Sequence, residues 1–341
     1  MTPQDLDALP RISVQRVDSP AAFQEIVALE EPIVIEGALD HWPALAAGRS
    51  SAAAMNDYLK AMDVGSFIEV LEAPRETQGG FCYTPDLRGF NFSHRRRRVA
   101  ETLDHLLRSI DDPKSPFIAI QSLPLAEHLP EFVRRNPAPL LPPHVLPRLW
   151  VGGAVRTQTH QDPEHNLACV IAGRRRFLLF PPEQVASLYV GPIDRPFPPP
   201  LSLVDPTMPD LERFPKFALA LQAARVAHLK AGDAIFMPKY WWHHVTSLEP
   251  YNVLVNYWWG DEARGLERPM ENFLTALLAI KNLPRGERAY WRAMFETYIF
   301  RTQGEDPVAH IPAALQGLLG KPDPELRSRL KQQLRTTYLK S

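Results

Sequence analysis

Residues 157–184 read TQTHQDPEHNLACVIAGRRRFLLFPPEQ. The apolar runs NLACVIAG and RRFLLFPP are short, and glycine, proline and charged residues bound them, which is typical of strands joined by turns. Similar runs recur between Arg148 and Gly260, among them LWVGG, KAGDAIFMP, WWHHVTSL and YNVLVNYWW. This succession of short strands and turns predicts an all-β sandwich or barrel.

The residues on either side of this stretch have a different character. Before it, strand-like runs such as PIVIEG and SFIEVL alternate with segments at helical spacing such as VAETLDHLLRSI. After it, the segments 270–281, 287–299 and 324–338 have the helical period and a high apolar content, so they need a surface to pack on. We therefore predict a mainly β protein with helical additions. Its parts are a mixed α/β region, 1–147, that packs on the barrel, a β core, 148–262, and a C-terminal helical region, 263–341.

Composition excludes several classes of protein. The 38 lysines and arginines nearly balance the 39 aspartates and glutamates, and a net charge of −1 disfavours a strongly basic nucleic-acid-binding protein. No apolar run approaches the roughly 18 residues that span a bilayer, and the first residues lack the apolar stretch of a secretory signal. Two cysteines, Cys82 and Cys169, exclude a disulfide framework and a cysteine-rich zinc site. We expect a protein of the cytoplasm, a reducing compartment.

His160 and Asp162 form the centre of a candidate metal site. Because side chains alternate along a strand with period two, these two residues are predicted to point to the same side. The third ligand is expected from the segment YWWHHV, at His243 or His244. Two histidines and one carboxylate form a facial triad with open coordination positions, an arrangement suited to Fe(II) oxygenases.

Three motifs agree in order and spacing with a known family. They are HQDPEHNLACVIAGRRRFLLFPPEQ, DLERFPKF and MPKYWWHHVTSLEPYNVLVNYWWG, within a stretch of about 110 residues, and weaker matches lie at PIVIEGALDHWPA and GFCYTPDLRGFNF. Through them the chain resembles the cupin-like JmjC family of 2-oxoglutarate oxygenases, and within it the asparaginyl hydroxylase that acts on hypoxia-inducible factor. The resemblance implies a double-stranded β-helix core, also called a jelly roll, and a C-terminal helical pair that often makes a homodimer.

The resemblance also implies roles for individual residues of this chain. It places Fe(II) on His160, Asp162 and His243, and it turns His244 to the other side of the strand. The residues that it implies for binding 2-oxoglutarate are Thr157, Asn166, Arg175 and Asn256. The residues that it implies on the substrate side are Tyr83 and Trp258.

Two positions depart from the family pattern. The usual lysine that pairs with the distal carboxylate of 2-oxoglutarate is Arg175 here, and a guanidinium is longer and planar but makes the same ion pair with two hydrogen bonds. A tyrosine expected on the FIAIQ strand is Ala119. The pair of changes predicts either a reshaped co-substrate pocket, in which arginine compensates for both, or weak use of 2-oxoglutarate.

The resemblance implies an oxygenase that uses Fe(II), 2-oxoglutarate and O2 to hydroxylate a protein or peptide side chain. Two alternatives remain open at this point. The same chemistry could act on a small molecule or on a nucleoside in RNA, because the substrate wall lies largely in the first region. The chain could also be a metal-binding sensor or scaffold without turnover, a reading that Arg175 and Ala119 favour and that the intact triad opposes.

Four consecutive arginines, Arg95–Arg98, follow His94. One interpretation is a patch for a nucleic acid or an acidic peptide. The interpretation that we prefer from the sequence is the solvated start of the helix predicted for Val99–Ile110.

Overall fold

Two β-sheets form the framework of residues 1–262, which make one of the two compact units of the chain. We analysed a computed structural model that describes residues 6–194, 200–260, 269–302, 304, 306–321 and 324–338. The strands are β1 (Val14–Gln15), β2 (Ile33–Ile35), β3 (Phe67–Ala73), β4 (Gly80–Phe81), β5 (Ser93–Arg98), β6 (Phe117–Pro124), β7 (Pro147–Gly152), β8 (Arg156–His160), β9 (His165–Ala172), β10 (Arg174–Phe180), β11 (Arg225–Lys230), β12 (Ala234–Met237), β13 (Trp242–Ser247) and β14 (Asn252–Trp259).

The larger sheet has nine strands in the order β1-β2-β12-β9-β14-β7-β6-β3-β5, and the smaller has five in the order β11-β10-β13-β8-β4. Both contain strands distant in sequence, as the jelly roll predicted from the sequence requires. The prediction of a mainly β fold with helical additions is confirmed. Because strands of the first region extend the larger sheet, the boundary predicted at residue 147 lies within one unit. That boundary stays a prediction.

Ten helices lie between and after the strands in the described residues. They are α1 (Pro20–Ala28), α2 (Pro43–Ser50), α3 (Ala52–Lys60), α4 (Val99–Ser109), α5 (Leu125–His128), α6 (Pro130–Arg135), α7 (Phe217–Ala223), α8 (Pro269–Ile280), α9 (Arg285–Met294) and α10 (Pro324–Tyr338), and a π-helical segment, Phe295–Phe300, follows α9. The last three helices and the π-helical segment belong to the second unit, 263–341. Among the described residues, no helix is both long and apolar enough to span a membrane.

The alternation of side chains along the strands of the larger sheet separates two cores. On one face, Ile68, Val70 and Val255 pack with apolar residues of α1–α4 in the largest core. On the other face, Val170 and Leu254 pack against residues of the smaller sheet such as Phe177, which closes the space between the sheets. Helices α1–α4 therefore cover the outer face of the larger sheet, and its inner face is turned to the smaller sheet.

A tight turn at Gly173 joins β9 of the larger sheet to β10 of the smaller one. Gly173 has φ +76°, and a Cβ atom there would lie 2.6 Å from the carbonyl oxygen of Tyr251. Glycine adopts this left-handed conformation at little cost and leaves room for the neighbouring chain. The turn thus fixes where the chain crosses between the two sheets.

The arginine run forms a strand rather than the start of a helix. Arg95–Arg98 belong to β5, which pairs antiparallel with β3 at one edge of the larger sheet, and α4 begins only at Val99. The preferred sequence interpretation is therefore wrong. Pairing with β3 overrides the helical tendency of an arginine-rich segment.

Candidate active site

A cavity between the two sheets contains every predicted site residue except Tyr83. Strands of both sheets contribute to its wall. The residues that line it are Trp150, Thr157, His160, Asp162, Asn166, Ala168, Arg175, Phe177, Met237, His243, Val245, Leu254, Asn256 and Trp258.

His160, Asp162 and His243 form the cluster of possible metal ligands among the described residues. One ligand atom from each lies within 4.8 Å of the others. His160 pairs directly with His243 across β8 and β13, and their ring centroids are 4.2 Å apart. Nε2 of His243 lies 3.7 Å from Oδ2 of Asp162, and both side chains are largely buried. Two imidazoles and one carboxylate at this spacing suit a divalent transition metal with open coordination positions.

Backbone carbonyl groups hold both imidazole rings in the orientation that a metal site needs. Nδ1 of His160 lies 2.8 Å from the carbonyl oxygen of Gln158, and Nδ1 of His243 lies 3.0 Å from that of Trp241. A proton on Nδ1 donated to each carbonyl leaves the Nε2 lone pair free to coordinate a metal. Burial, with a smaller effect of His160, lowers the pKa of His243 to about 4, so its ring is neutral at pH 7.

Two donors fix the carboxylate of Asp162. Nδ2 of Asn166 and Nε1 of Trp258 each donate a hydrogen bond to Oδ2, both at 3.1 Å. The backbone N–H of Tyr240 also donates to the carbonyl oxygen of Asp162, at 2.8 Å, which ties the loop after β8 to the turn before β13. The carboxylate therefore has a fixed orientation without a metal.

The hydrogen-bond network continues behind Asn166. Nδ2 of Asn256 donates to Oδ1 of Asn166 at 3.3 Å, and Nε1 of Trp150 donates to Oδ1 of Asn256 at 2.7 Å. These bonds select one orientation of each amide, so that Asn166 presents its N–H2 group to Asp162. Sequence reasoning missed Trp150, because only the pairing of β7 with β14 brings it beside this network.

His243 and His244 occupy opposite faces of β13. His243 is in the ligand cluster, whereas both ring nitrogens of His244 are buried without a hydrogen-bond partner among the described residues. Burial lowers the pKa of His244 to about 3, so this ring is also neutral. His243 therefore lies in the ligand cluster and His244 lies outside it, and the role of His243 as a metal ligand stays a prediction.

Arg175 is a buried cation on the wall of the cavity. It is 8% exposed, and its Nε has no hydrogen-bond partner among the described residues. Burial lowers its pKa to about 10, which still leaves it charged at pH 7. The neighbouring arginines pair elsewhere, Arg174 with Glu249 at 2.6 Å and Arg176 with Asp7 at 3.2 Å. A buried guanidinium without a counter-ion among the described residues fits the carboxylate of a ligand.

The two remaining positions singled out in the sequence lie away from this cavity. The hydroxyl of Tyr83 accepts a hydrogen bond from the backbone N–H of Leu201 at 3.4 Å, and its ring stacks on Phe90. Its role in substrate binding stays a prediction. Ala119 packs with Leu71 and Phe81 in a small apolar cluster.

The ligand assignment predicts different effects for two adjacent histidines. We expect His243→Ala to weaken Mn(II) binding by at least about a hundredfold, more than the loss of an outer hydrogen bond causes. His244→Leu fills the same buried volume, removes two unpartnered nitrogens and should change the affinity by less than about threefold. Electron paramagnetic resonance of free Mn(II) measures both. Equal losses in the two variants would contradict the assignment.

The indole N–H of Trp258 predicts a second effect on metal binding. Trp258→Phe keeps an aromatic ring but removes one donor to Asp162, so we expect Mn(II) affinity to fall about tenfold. The matched control is Trp259→Phe, because Trp259 stacks on Phe236 on the opposite face of β14. The same titration should show no change for the control. An unchanged affinity in Trp258→Phe would mean that Asn166 alone orients the carboxylate.

Comparison with known proteins places this geometry in a family. A family model described as "Cupin-like domain" matches residues 19–265. Lysine-specific demethylase JMJ31 of Arabidopsis thaliana is 39% identical over 116 residues, which cover 32% of this chain and 20% of that protein. HSPB1-associated protein 1 of Homo sapiens is 33% identical over 147 residues, 42% of this chain and 30% of that protein.

A third relative aligns over most of both chains. The human bifunctional peptidase and (3S)-lysyl hydroxylase JMJD7 is 27% identical over 304 residues, which cover 74% of this chain and 85% of that protein. By contrast, the chain spans less than a third of the first two relatives. No asparaginyl hydroxylase is among these three, so that finer resemblance stays a prediction. The family match covers well over half of the sequence, and the chain belongs to the cupin-like JmjC domain family.

Proposed function

We propose that this chain is an Fe(II)- and 2-oxoglutarate-dependent oxygenase that hydroxylates a side chain of a polypeptide. The observation that carries the proposal is the presence of two features in one cavity. One is the cluster of His160, Asp162 and His243, and the other is the cation of Arg175, which pairs with no carboxylate of the described residues. A metal-binding scaffold needs the first feature but has no use for the second.

The residues at the cluster fit the iron that the family uses. His160, Asp162 and His243 would hold the ion and leave coordination positions for the co-substrate and O2. When bound, the iron with 2-oxoglutarate and O2 supplies the oxidation that converts a C–H group to C–OH and 2-oxoglutarate to succinate and CO2. Asn166 and Trp258 hold the carboxylate of Asp162 in place.

Arg175 and Thr157 would hold the distal carboxylate of 2-oxoglutarate. Arg175 pairs with Ser247 on β13, and Leu179, four residues further along β10, pairs with His243. Four residues of a strand span about 13 Å between Cα atoms, which leaves room for a dicarboxylate between the metal and an extended arginine side chain. A guanidinium in place of the family's lysine offers two parallel hydrogen bonds to that carboxylate. This arrangement favours retained use of 2-oxoglutarate over a rebuilt pocket.

The relatives support a polypeptide as the substrate. The name of JMJD7 describes a lysyl hydroxylase, and that of JMJ31 a lysine-specific demethylase, which makes lysine the side chain to test first. JMJD7 aligns over most of its length, so we favour hydroxylation over demethylation. Small molecules and RNA nucleosides have no comparable support, and the predicted cytoplasmic location stays a prediction.

The co-substrate role of Arg175 predicts a change that can be measured without turnover. Under anaerobic conditions, Fe(II) with 2-oxoglutarate should produce a visible charge-transfer band that Asp162→Ala abolishes. Arg175→Met should raise the half-saturating concentration of 2-oxoglutarate roughly thirtyfold, because truncating one partner of a buried charge pair costs about 2 kcal/mol or more. Arg175→Lys should restore part of the affinity for 2-oxoglutarate. Arg174→Ala is the control, because Arg174 is next to Arg175 but outside the cavity, and it should leave the affinity unchanged. Bound iron without a band would overturn the proposed function.

We also propose that the C-terminal helices form a homodimer. In the second unit, α8 has no buried residue, and Met270, Phe273 and Leu278 are 41%, 50% and 86% exposed. Exposed apolar side chains spaced along one helix are typical of an association surface.

The dimer proposal predicts a loss of mass in a charge variant. Light scattering after gel filtration should give twice the monomer mass for the native protein and the monomer mass for Leu278→Glu. Leu219→Glu places the same charge on an apolar residue that is 54% exposed on α7, and it should remain a dimer. A native monomer would contradict the proposal.

A further inference from the structure

The larger sheet extends beyond the smaller sheet on the side that lines the cavity, and this part of its face is exposed to solvent. On β3, Leu71 and Ala73 pack against Phe81 of β4, a strand at the edge of the smaller sheet. Phe67 and Glu69 share the face of Leu71 by strand alternation, but both are exposed. The sheet therefore presents an uncovered platform next to the cavity.

Two arginines of the edge strand lie on this platform. Arg98 pairs directly with Phe67, and Arg96 with Glu69. Both guanidinium groups lie over the ring of Phe67, at 4.4 Å for Arg98 and 4.9 Å for Arg96. No carboxylate among the described residues pairs with either of them. Nη1 of Arg98 also donates to the carbonyl oxygen of Gly65. The stacking therefore holds two positive charges on the platform and leaves the guanidinium of Arg96 and the other N–H groups of Arg98 available to a ligand.

Arg148 connects the platform to the cavity. It lies on β7 directly opposite Asn256, and its guanidinium lies 5.6 Å from the ring centroid of Trp258. It also donates to the carbonyl and hydroxyl oxygens of Ser122 on β6, at 3.0 and 3.1 Å. We call the surface formed by Phe67, Arg96, Arg98 and Arg148 the arginine face.

Protection of an open sheet edge explains only part of this arrangement. Charged side chains on β5 prevent pairing with another chain, and any of the four arginines serves that purpose. Arg148 is on an interior strand, however, and shares the cavity face with Arg96 and Arg98. In a chain whose net charge is −1, this local excess of cations indicates an acidic ligand.

Two carboxylates on the same side favour a polypeptide over a nucleic acid. Glu69 lies opposite Arg96 on the platform, and Glu164 is in the loop after β8, two residues from Asp162 of the cavity. The backbone of a nucleic acid carries a negative charge at every nucleotide, so some of its phosphates would lie close to the two glutamates and be repelled. A peptide with separate acidic residues can place them at the arginines and avoid the glutamates.

We propose that the arginine face binds an acidic segment of the polypeptide substrate. This inference rests on the proposed function, whose substrate class it narrows. Four strand spacings of about 4.8 Å separate β5 from β14, which carries Trp258, so the path is about 19 Å. An extended chain covers about 3.3 Å per residue, so the acidic segment lies about six residues from the residue that enters the cavity.

A labelled peptide tests the arginine face directly. The probe is a fluorescein-labelled peptide of four glutamates, six glycine and serine residues and one lysine, and its control has glutamine in place of glutamate. By fluorescence anisotropy at low ionic strength, we expect Arg96→Ala/Arg98→Ala to weaken binding of the probe about tenfold, because two exposed charge pairs are lost. The matched variant Arg134→Ala/Arg135→Ala removes two exposed charges from α6 and should bind as the native protein does.

Three outcomes would overturn the proposal. The first is an equal loss of affinity for the probe in the two double variants. The second is equal binding of the glutamate and glutamine peptides. The third is binding of an oligouridylate that is tighter than that of the probe and depends on Arg96 and Arg98, which would make the ligand a nucleic acid. The proposed function is judged separately by the charge-transfer band. A charge-transfer band without peptide binding would support the oxygenase and contradict the role of the arginine face. Peptide binding without a band would support the arginine face and contradict the oxygenase.

The predicted spacing has its own measurement. With Mn(II) bound by the native protein, the proton signals of the probe should broaden most at the lysine and least at the glutamates, since paramagnetic broadening falls steeply with distance. Uniform broadening, or broadening centred on the glutamates, would show that the acidic segment binds at the cavity instead of on the arginine face.

Discussion

The direct pairing of His160 with His243 across β8 and β13 is the constraint on which the rest of the site depends. A slip of one residue in this register would turn one of the rings to the opposite face of the sheet. The pairing of β8 with β13 contains a β-bulge, and this bulge affects which residues face the cavity. Between the pair of His160 with His243 and the pair of Thr157 with Val245, β13 advances two residues and β8 three. The extra residue of this bulge brings Thr157 and His160 onto the same face, although their odd separation would place them on opposite faces of a regular strand.

Some polar groups of the cavity have hydrogen-bond partners in the described protein, and Arg175 does not. The first kind is held in a fixed geometry, and Arg175 is available to a ligand. Asp162 accepts two hydrogen bonds, and the amides of Asn166 and Asn256 are oriented in turn by Trp150. Such a network holds a ligand carboxylate at the geometry that a metal needs before the metal arrives. Arg175 has no such network, so the same fold that fixes the metal end leaves the other end open to an ionic ligand.

Strand alternation and motif order predict much of the fold and site, and their failures have physical causes. The period-two rule predicts that His160 and Asp162 lie on one side, and both are in the cluster, although β8 ends at His160 and Asp162 belongs to the loop that follows. The short apolar runs predict the strands of the core. The rule has no means of locating the bulge in β8, since backbone pairing and not a turn residue creates it. Trp150 has no local signal, because its role arises from a neighbouring strand about a hundred residues later in the sequence. Arg95–Arg98 suit a helix locally, and only the partner β3 makes them a strand.

The buried charge of Arg175, which has no counter-ion in the described part of the chain, links the stability of the fold to the chemistry of the cavity. Burying a guanidinium without a counter-ion costs several kcal/mol of desolvation, and no hydrogen bond from Nε offsets that cost among the described residues. In a core under selection for stability alone, an apolar residue would replace this arginine. Even buried charges that are paired can often be replaced by apolar residues without loss of stability. A dianionic ligand that reaches both the metal and Arg175 removes the penalty and stabilises the folded state by binding to it alone. The proposed co-substrate would thus explain the cost of burying Arg175, which the fold alone does not explain.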